Sequence, residues 1–157
     1  MASKTLVDEL TVERFVTASR ALVAMAVRSI ESAAPEITVP QHRVLILLAA
    51  EGDLTVGEVA DQLGVNQSNA SRLIDRLQKL EMVVRERASE DGRVVRVRLT
   101  RRGRSIVEAV MRRRRSEVAE VLAQLTPEHA EAALAALEAF NEAAHERDER
   151  VWRGTAW

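Results

Sequence analysis

Residues 54–80 read LTVGEVADQLGVNQSNASRLIDRLQKL, and this stretch decides the fold. Thr55, with Glu58 three residues later, fits a capping box that begins a short helix, and Gly64 ends that helix. Asn66 is a good N-cap for a second, longer helix that continues to the end of the stretch. Two short helices joined by a tight turn containing glycine are the pattern of a helix-turn-helix.

The second helix separates an apolar face from a polar one. Ala70, Leu73, Ile74 and Leu77 recur at helical spacing and form the face expected to pack on the core. The opposite face consists of Gln67, Ser68, Asn69, Ser71, Arg72 and Arg76. Arginine can bind guanine in bidentate fashion, and Gln and Asn suit adenine. The pattern predicts a recognition helix whose N-terminal half enters the major groove, although a merely solvated face is the alternative.

The periodicity changes after this helix. Residues 82–88 read MVVRERA and residues 94–99 read VVRVRL, the second with Val95, Val97 and Leu99 on one face. The turn-forming SEDG lies between the two stretches, so we predict a β-hairpin that forms a two-stranded wing.

The expected wing carries several arginines. Arg93 at its tip can project into a minor groove, where a narrow A/T tract concentrates negative potential. Arg85, Arg87, Arg96 and Arg98 would approach phosphates from the strands, although the pleat does not allow every strand arginine to do so. The alternative is an ordinary surface hairpin.

Long helices flank this lobe. Helical spacing predicts one helix over residues 7–33, and Thr38 with Gln41 fits a capping box for the next. Thr100 is an N-cap candidate for a helix to about Leu125, and Thr126 followed by proline caps the last helix. The predicted fold is mostly α with a minor β part: a winged helix-turn-helix lobe at 37–104, an N-terminal dimerisation helix within 1–36, and C-terminal dimerisation helices and a tail at 105–157.

Positive charge concentrates on the lobe. From residue 66 to residue 104, eleven basic residues stand against five acidic ones, so the segment carries +6 in a chain whose formal net charge is -1. Such an uneven distribution is typical of a face that binds a polyanion.

The sequence argues against other classes of protein. Without cysteine there are no disulfides or thiolate ligands, and the three histidines lack metal-binding spacing, so we expect no metal and no cofactor. We find no nucleophile elbow or glycine-rich phosphate loop, and therefore expect no enzyme activity. No apolar run is long enough for a membrane span, and the first ten residues are too polar for a signal peptide, so we expect a cytoplasmic protein with no membrane partner.

Over nearly its whole length the chain resembles the MarR family of bacterial transcription regulators. The matching parts are the stretch at 54–80, the tip Asp91-Gly92-Arg93, and VRLTRRGR at 97–104. The resemblance implies a homodimer whose two lobes bind a palindromic operator in double-stranded DNA, with Asp91 orienting the wing arginine through an ion pair. It also implies release from DNA by a small, often phenolic, effector, as in many members. We therefore expect a repressor, and a ligand-insensitive regulator stays open as the alternative.

One position departs from the resemblance. The family usually has glycine between the recognition helix and the first wing strand, where this chain has Glu81. Glycine there suits a left-handed C-terminal cap, which costs other residues about 1 kcal/mol or more. Either the turn differs in this chain or the turn stores strain.

The terminal helices carry apolar side chains that the lobe does not need for its own core. The expected dimer interface consists of Leu10, Phe15, Leu122, Leu125, Leu134, Leu137 and Phe140. These residues could pack on each other within one chain. The resemblance and the two-fold geometry of operators favour exchange between two chains, and two tethered lobes bind more tightly than one.

The effector and its site are not identified by the sequence. A pocket between the long helices would be lined by side chains such as Phe15, Met25, His42 and Met111, all equally suited to ordinary packing. A second functional class is also possible, namely a protein-interaction module that has the winged scaffold without DNA binding. The basic recognition helix and the basic wing occur together, which favours the DNA-binding regulator.

Overall fold

The computed structural model describes residues 8–87 and 94–144. These residues form α1 (Glu9–Ala33), α2 (Val39–Glu51), β1 (Leu54–Thr55), α3 (Val56–Leu63), α4 (Gln67–Lys79), β2 (Val83–Arg87), β3 (Val95–Leu99), α5 (Arg101–Leu122) and α6 (Pro127–Ala143). The order and type of the predicted helices are confirmed, and α5 ends three residues before the predicted Leu125. Within the described ranges, no helix is both long enough and apolar enough to cross a membrane.

Side-chain caps begin the helices where the sequence predicts them. At α3 the Thr55 N–H donates to Glu58 Oε2 (2.7 Å), and the Glu58 N–H donates to Thr55 Oγ1 (3.2 Å). The bond from the Thr55 N–H, followed by that from its hydroxyl, holds the pKa of the Glu58 carboxyl below its usual range. At α4 the Asn69 N–H donates to Asn66 Oδ1 (2.8 Å). The other predicted N-caps, also confirmed, are Thr38, Thr100 and Thr126.

The wing strands belong to a three-stranded antiparallel sheet in the order β1-β3-β2. The predicted pair is present, with Val83 opposite Leu99 and Arg85 opposite Val97. The third strand was not predicted: β1 places Leu54 opposite Val97 on the other edge of β3. A two-residue strand is too short to show any alternation in sequence, so the prediction of a two-stranded wing was incomplete.

The core of the lobe lies between α2, α4, the sheet and the first half of α5. Its largest fully buried hydrophobic side chains are Val44, Leu45, Leu48, Val59, Ile74, Leu77, Met82, Val83, Val97, Val107 and Val110. Val97 and Leu99 face this core as predicted, whereas Val95 on the same side of β3 is exposed because the strand extends past the core towards the wing tip. Along the outside of the lobe, α1 packs against α5.

Glu81 adopts the left-handed conformation that normally favours glycine. Its φ is 59°, the only positive φ at a non-glycine residue in the described part of the chain. The Glu81 N–H donates to the Gln78 carbonyl (3.0 Å) and the Met82 N–H donates to the Leu77 carbonyl (3.0 Å), which is the hydrogen-bond pattern of a Schellman cap. The Thr100 hydroxyl also donates to the Glu81 carbonyl (2.7 Å). The usual turn is therefore kept, and glutamate occupies its strained position.

Gly103 permits a close approach between α5 and the segment that leaves α4. A Cβ atom at this position would lie 2.1 Å from the Met82 carbonyl oxygen and 2.8 Å from Leu99 Cδ2. The same carbonyl oxygen accepts the Thr100 N–H (3.1 Å). The first turn of α5 is thus held directly against the exit of α4.

Candidate nucleic-acid interface

The turn between α3 and α4 sets the direction of α4. Gly64 has a φ of 66°, its N–H donates to the Asp61 carbonyl (3.2 Å), and the Val65 N–H donates to the Ala60 carbonyl (3.0 Å). Ala70, Ile74 and Leu77 then bury one face of α4 in the lobe. The opposite face and the N-terminal end of α4 are left towards solvent.

The predicted recognition residues lie on that outer face. Gln67, Ser68, Asn69, Arg72 and Arg76 are exposed, and Ser71 is half-buried. Arg72 Nη2 donates to Asn69 Oδ1 (2.5 Å), so the two side chains support each other one turn apart. The outer face therefore presents a guanidinium group, amide groups and hydroxyls together, as contacts to base edges and phosphates require.

The described wing arginines divide into paired and unpaired groups. Arg85 lies against α4, where its Nη1 atom is 2.5 Å from Asp75 Oδ1. Arg96 donates to the Asp53 carbonyl (2.9 Å) and lies 3.8 Å from a Glu58 carboxylate oxygen. Arg87, at the end of β2, is exposed and has no ion pair with the described residues. Two further predicted wing residues, Asp91 and Arg93, lie outside the described residues.

Several cations of the basic segment are already neutralised within the fold. Arg98 pairs with Glu86 across the two strands, and Arg102 lies 3.8 Å from carboxylate oxygens of both Glu36 and Glu81. Among the described cations of the segment from residue 66 to residue 104, the exposed ones with no ion pair to a described residue are Arg72, Arg76, Lys79, Arg87 and Arg101. They lie on α4, at the distal end of β2 and at the start of α5, so the uncompensated charge is concentrated on these three elements rather than spread along all eleven basic residues.

The sequence did contain a signal for the role of Arg85 that the prediction missed. Side chains alternate along a strand, so Arg85 is in phase with Val83, whose side chain is fully buried. Arg85 also lies opposite the buried Val97 in the sheet register. An arginine on the core-facing side of a sheet meets the helix packed there, and Arg85 contacts Asp75, Gln78 and Ser71 on α4. Its contact with a DNA phosphate stays a prediction.

The predicted interface residues remain largely uncovered in one chain. Leu10, Phe15, Leu122, Leu125, Leu134 and Phe140 are exposed, and Leu137 is half-buried. The rings of Phe15 and Phe140 lie 4.5 Å apart between centroids, which joins α1 to α6 within the chain, yet they stay 42% and 47% exposed. None of the residues of α6 is buried. The intrachain contact thus covers only a small part of this apolar surface.

A cleft of about 270 Å³ lies between α1 and α5. It is lined by Met25, Arg28, Arg113, Glu117, Glu120, Val121 and Gln124. Glu117 is only 8% exposed; its Oε1 accepts from Arg113 Nε (3.1 Å), and its Oε2 lies 3.4 Å from Arg28 Nε without accepting a hydrogen bond from any described residue. The sequence did not single out Glu117. Of the four side chains that were predicted to line a pocket between the long helices, Met25 lines this cleft and Phe15, His42 and Met111 do not.

His42 is part of the packing between the helices. It is 3% exposed, and its Nε2 atom makes no hydrogen bond with the described residues. Burial, and then the positive charge of Arg114, lowers the pKa of His42 from 6.5 to about 4. The imidazole is therefore neutral at physiological pH.

The chain is similar to known proteins in both sequence and fold. A sequence profile described as MarR family matches residues 36–94. The HTH-type transcriptional regulator YfiV of Bacillus subtilis is 40% identical over 58 residues, and this match spans 37% of the present chain and 36% of YfiV, about a third of that protein.

Solved structures match over much more of the chain. RV1404 from Mycobacterium tuberculosis is 35% identical, with a TM-score of 0.83 over 94% of this chain and 99% of that one. FabT from Streptococcus pneumoniae, solved in complex with DNA, is 20% identical with a TM-score of 0.72 over 88% and 99% of the two chains, and so shows a shared fold. A MarR family protein from Bacillus stearothermophilus is 30% identical, with a TM-score of 0.75 over 88% and 99%. The chain therefore belongs to the MarR family of transcription regulators.

Proposed function

We propose that this chain is a homodimeric, sequence-specific DNA-binding repressor that recognises a palindromic operator and is released by a small effector. The observation that carries the proposal is the outer face of α4, where Arg72, Arg76 and three polar side chains at the N-terminal end are exposed while the opposite face is buried. A face that is merely solvated needs only polar side chains. It does not require arginines without ion-pair partners in a chain of net charge -1, whereas a face that binds a polyanion does.

On this proposal the parts of the lobe have different tasks. The N-terminal half of α4 lies in the major groove, where Arg72 or Arg76 contacts base edges and the remaining polar side chains contact bases or phosphates. Arg87 contacts the phosphate backbone of the DNA, and Arg93, oriented by Asp91, enters the adjacent minor groove. FabT, which has the same fold, was solved in complex with DNA, and this supports a DNA-binding use of the scaffold.

The homodimer is supported by the uncovered apolar surface. A helix of 17 residues with no buried residue, such as α6, gains little stability from its own chain, because helices in proteins depend on packing of their apolar face. Leu134 and Phe140 on α6 and Leu10 on α1 remain 58%, 47% and 60% exposed. A second copy offers the same surface, and a two-fold axis brings two α4 helices to half-sites about one turn of DNA apart.

The cleft between α1 and α5 is our candidate for the effector site. Met25 and Val121 offer apolar contact, and the exposed guanidinium groups of Arg28 and Arg113 offer N–H donors to a phenolic oxygen. By linkage, a phenol that weakens DNA binding must bind more tightly to the DNA-free protein. Thermal shift and DNA binding measured with the same series of phenols test this, and a series that stabilises the protein without releasing DNA would contradict it.

The experiment that tests the DNA proposal is selection from a random duplex library with the full-length protein. We expect enrichment of two inverted half-sites about one helical turn apart, or about 10 base pairs. Arg72→Ala or Arg76→Ala should relax the preference at particular positions by about 1–3 kcal/mol for each bond to a base edge that the substitution removes. Arg112→Ala, which removes an exposed cation paired with Glu108 on α5, is the matched control and should leave the preference unchanged.

Failure of the selection would point to the other class of function. A protein that enriches no duplex, or that binds all duplexes with equal and salt-sensitive affinity, is not the proposed operator-binding regulator. A protein-interaction module would show that result, and its α4 variants would not differ from Arg112→Ala in any DNA assay.

A further inference from the structure

One arginine of the wing is bound along three positions of the recognition helix. Arg85 Nη1 donates to Asp75 Oδ1 (2.5 Å) and to Gln78 Oε1 (3.0 Å), and its Nη2 donates to Ser71 Oγ (3.4 Å). The Arg85 side chain is 26% exposed, less than the side chains of the other described wing arginines that form ion pairs. Its guanidinium is thus held by α4 rather than presented to solvent.

The three partners lie on one flank of α4. Ser71, Asp75 and Gln78 are spaced i, i+4 and i+7, so they form a row about 10 Å long on the helix surface. The residues one position before these three, Ala70, Ile74 and Leu77, form the buried face. The residues one position after Ser71 and Asp75 are Arg72 and Arg76, and both are exposed. The row therefore lies at the border between the core face and the outer face of the helix.

We propose that Arg85 is a positioning residue that fixes the rotation of α4 about its axis relative to the wing strand. A planar guanidinium with two Nη groups engaged along a row of side chains resists rotation of the helix, whereas apolar contacts at the buried face tolerate small rotations. This inference rests on the proposed DNA binding, because the quantity that Arg85 controls is the direction in which Arg72 and Arg76 leave the lobe.

The neighbouring strand supplies a matched control. Arg98 carries the same charge, lies on β3 next to β2, and pairs with Glu86 on β2. Arg98 lies opposite Val84 in the register, on the other side of the sheet from Arg85 and Val97. Removing Arg98 therefore changes the charge of the wing as much as removing Arg85, without removing a bond to α4.

The test compares full-length Arg85→Ala, Arg85→Lys, Asp75→Ala and Arg98→Ala. Each protein is titrated with the duplex selected by the wild type and with a scrambled duplex, over a range of salt concentrations. We expect Arg85→Ala to lower the ratio of selected to scrambled affinity about tenfold, the equivalent of one charge-assisted hydrogen bond, while Arg98→Ala lowers both affinities together. Arg85→Lys keeps the charge but lacks the planar fork, and it should lose discrimination as well.

Asp75→Ala separates positioning from simple electrostatics. It removes a negative charge beside the DNA-facing surface, so Coulomb attraction alone predicts tighter binding to every duplex. Positioning predicts the opposite for the selected duplex, and the double variant Arg85→Ala/Asp75→Ala should be no worse than the poorer single variant. Wild-type discrimination in Arg85→Lys, or equal behaviour of Arg85→Ala and Arg98→Ala, would overturn the inference.

A measurement without DNA keeps the two proposals distinct. Amide hydrogen exchange of the DNA-free proteins should be faster over α4 in Arg85→Ala than in Arg98→Ala, because the helix has lost its bonds to β2. If the wild type selects no duplex but this difference is present, the proposed function fails and the holding of α4 by Arg85 stands. Equal exchange over α4 in the two variants overturns the inference whatever the DNA result.

Discussion

Glu81→Gly should make the protein more stable, although it removes a side chain that lies near an arginine. Glu81 has a φ of 59°, and the left-handed conformation costs a residue with a Cβ atom about 1–2 kcal/mol. Glycine avoids that cost but loses more chain entropy on folding, about 0.5–1 kcal/mol. The ion pair given up, Arg102 Nη1 to Glu81 Oε2 at 3.8 Å, is largely exposed and contributes no more than about 0.5 kcal/mol.

The expected net effect is a stabilisation of roughly 0.5 kcal/mol, or a rise in Tm of about 1–2 °C for a chain of this length. Glu81→Ala is the first control, because it loses the ion pair but keeps the Cβ atom, and it should be neutral or slightly destabilising. Gly64→Ala is the second, since Gly64 has a φ of 66° at the end of α3 and an added Cβ atom would meet nothing within 4 Å. It should therefore cost about 1 kcal/mol through backbone conformation alone.

Urea unfolding of the four proteins gives the comparison directly. If Glu81→Gly is no more stable than Glu81→Ala, the backbone at this turn is not strained and the reasoning fails. The same conclusion holds if Gly64→Ala unfolds at the wild-type urea concentration, because the two positions share one conformation and must respond with opposite signs.

Three further predictions concern other parts of the chain. Gly103→Ala should destabilise the protein by about 3 kcal/mol or more, since the new Cβ atom would lie 2.1 Å from the Met82 carbonyl oxygen; wild-type stability in urea would contradict this. The pKa of His42 is lowered from 6.5 in the unfolded chain to about 4, so its contribution to stability is fully present above pH 6.5 and is lost as the pH falls towards 4. The loss should amount to about 3 kcal/mol in urea titrations between pH 7 and 4, and should be smaller in His42→Gln. Truncation after residue 125 removes α6 and should leave a monomer or an aggregate, whereas the full chain should scatter light as a particle near twice 17.4 kDa; a stable DNA-binding dimer of the truncated chain would refute the interface.

The helices and their order were predictable because their ends are determined by local chemistry. Asn66, Thr55, Thr100 and Thr126 each accept a backbone N–H at the start of a helix, and Gly64 ends α3 in the left-handed conformation. These interactions join residues no more than a few positions apart, so the sequence alone shows both partners. The family resemblance and the local caps therefore indicated the same fold.

The features that were missed depend on residues far apart in the chain. Strand β1 forms only because Leu54 meets Val97, and the Arg85 bonds join residues that lie on two different elements, β2 and α4. Counting charges along the segment predicted a cationic face but did not show which cations have carboxylate partners. Arg96 is an example, since its carboxylate partner Glu58 lies on α3, before α4 in sequence, and meets Arg96 only because β1 pairs with β3.

The close approach at Gly103 has a geometrical consequence for the proposed homodimer. It fixes one end of α5 behind α4, and α5 continues for 22 residues, about 33 Å, to the apolar end at Leu122. With the pivot at one end of such a rod, each degree of tilt displaces the other end by about 0.6 Å. In the proposed homodimer, the far ends of α5 lie near the partner chain and the α4 helices lie at the other end. If α5 of each chain tilts by about five degrees relative to the two-fold axis, the separation of the two α4 helices changes by several ångströms. That distance is comparable with the rise of one base pair, about 3.4 Å, so in the proposed homodimer the angle of a single helix would select which operator spacing the two lobes can match.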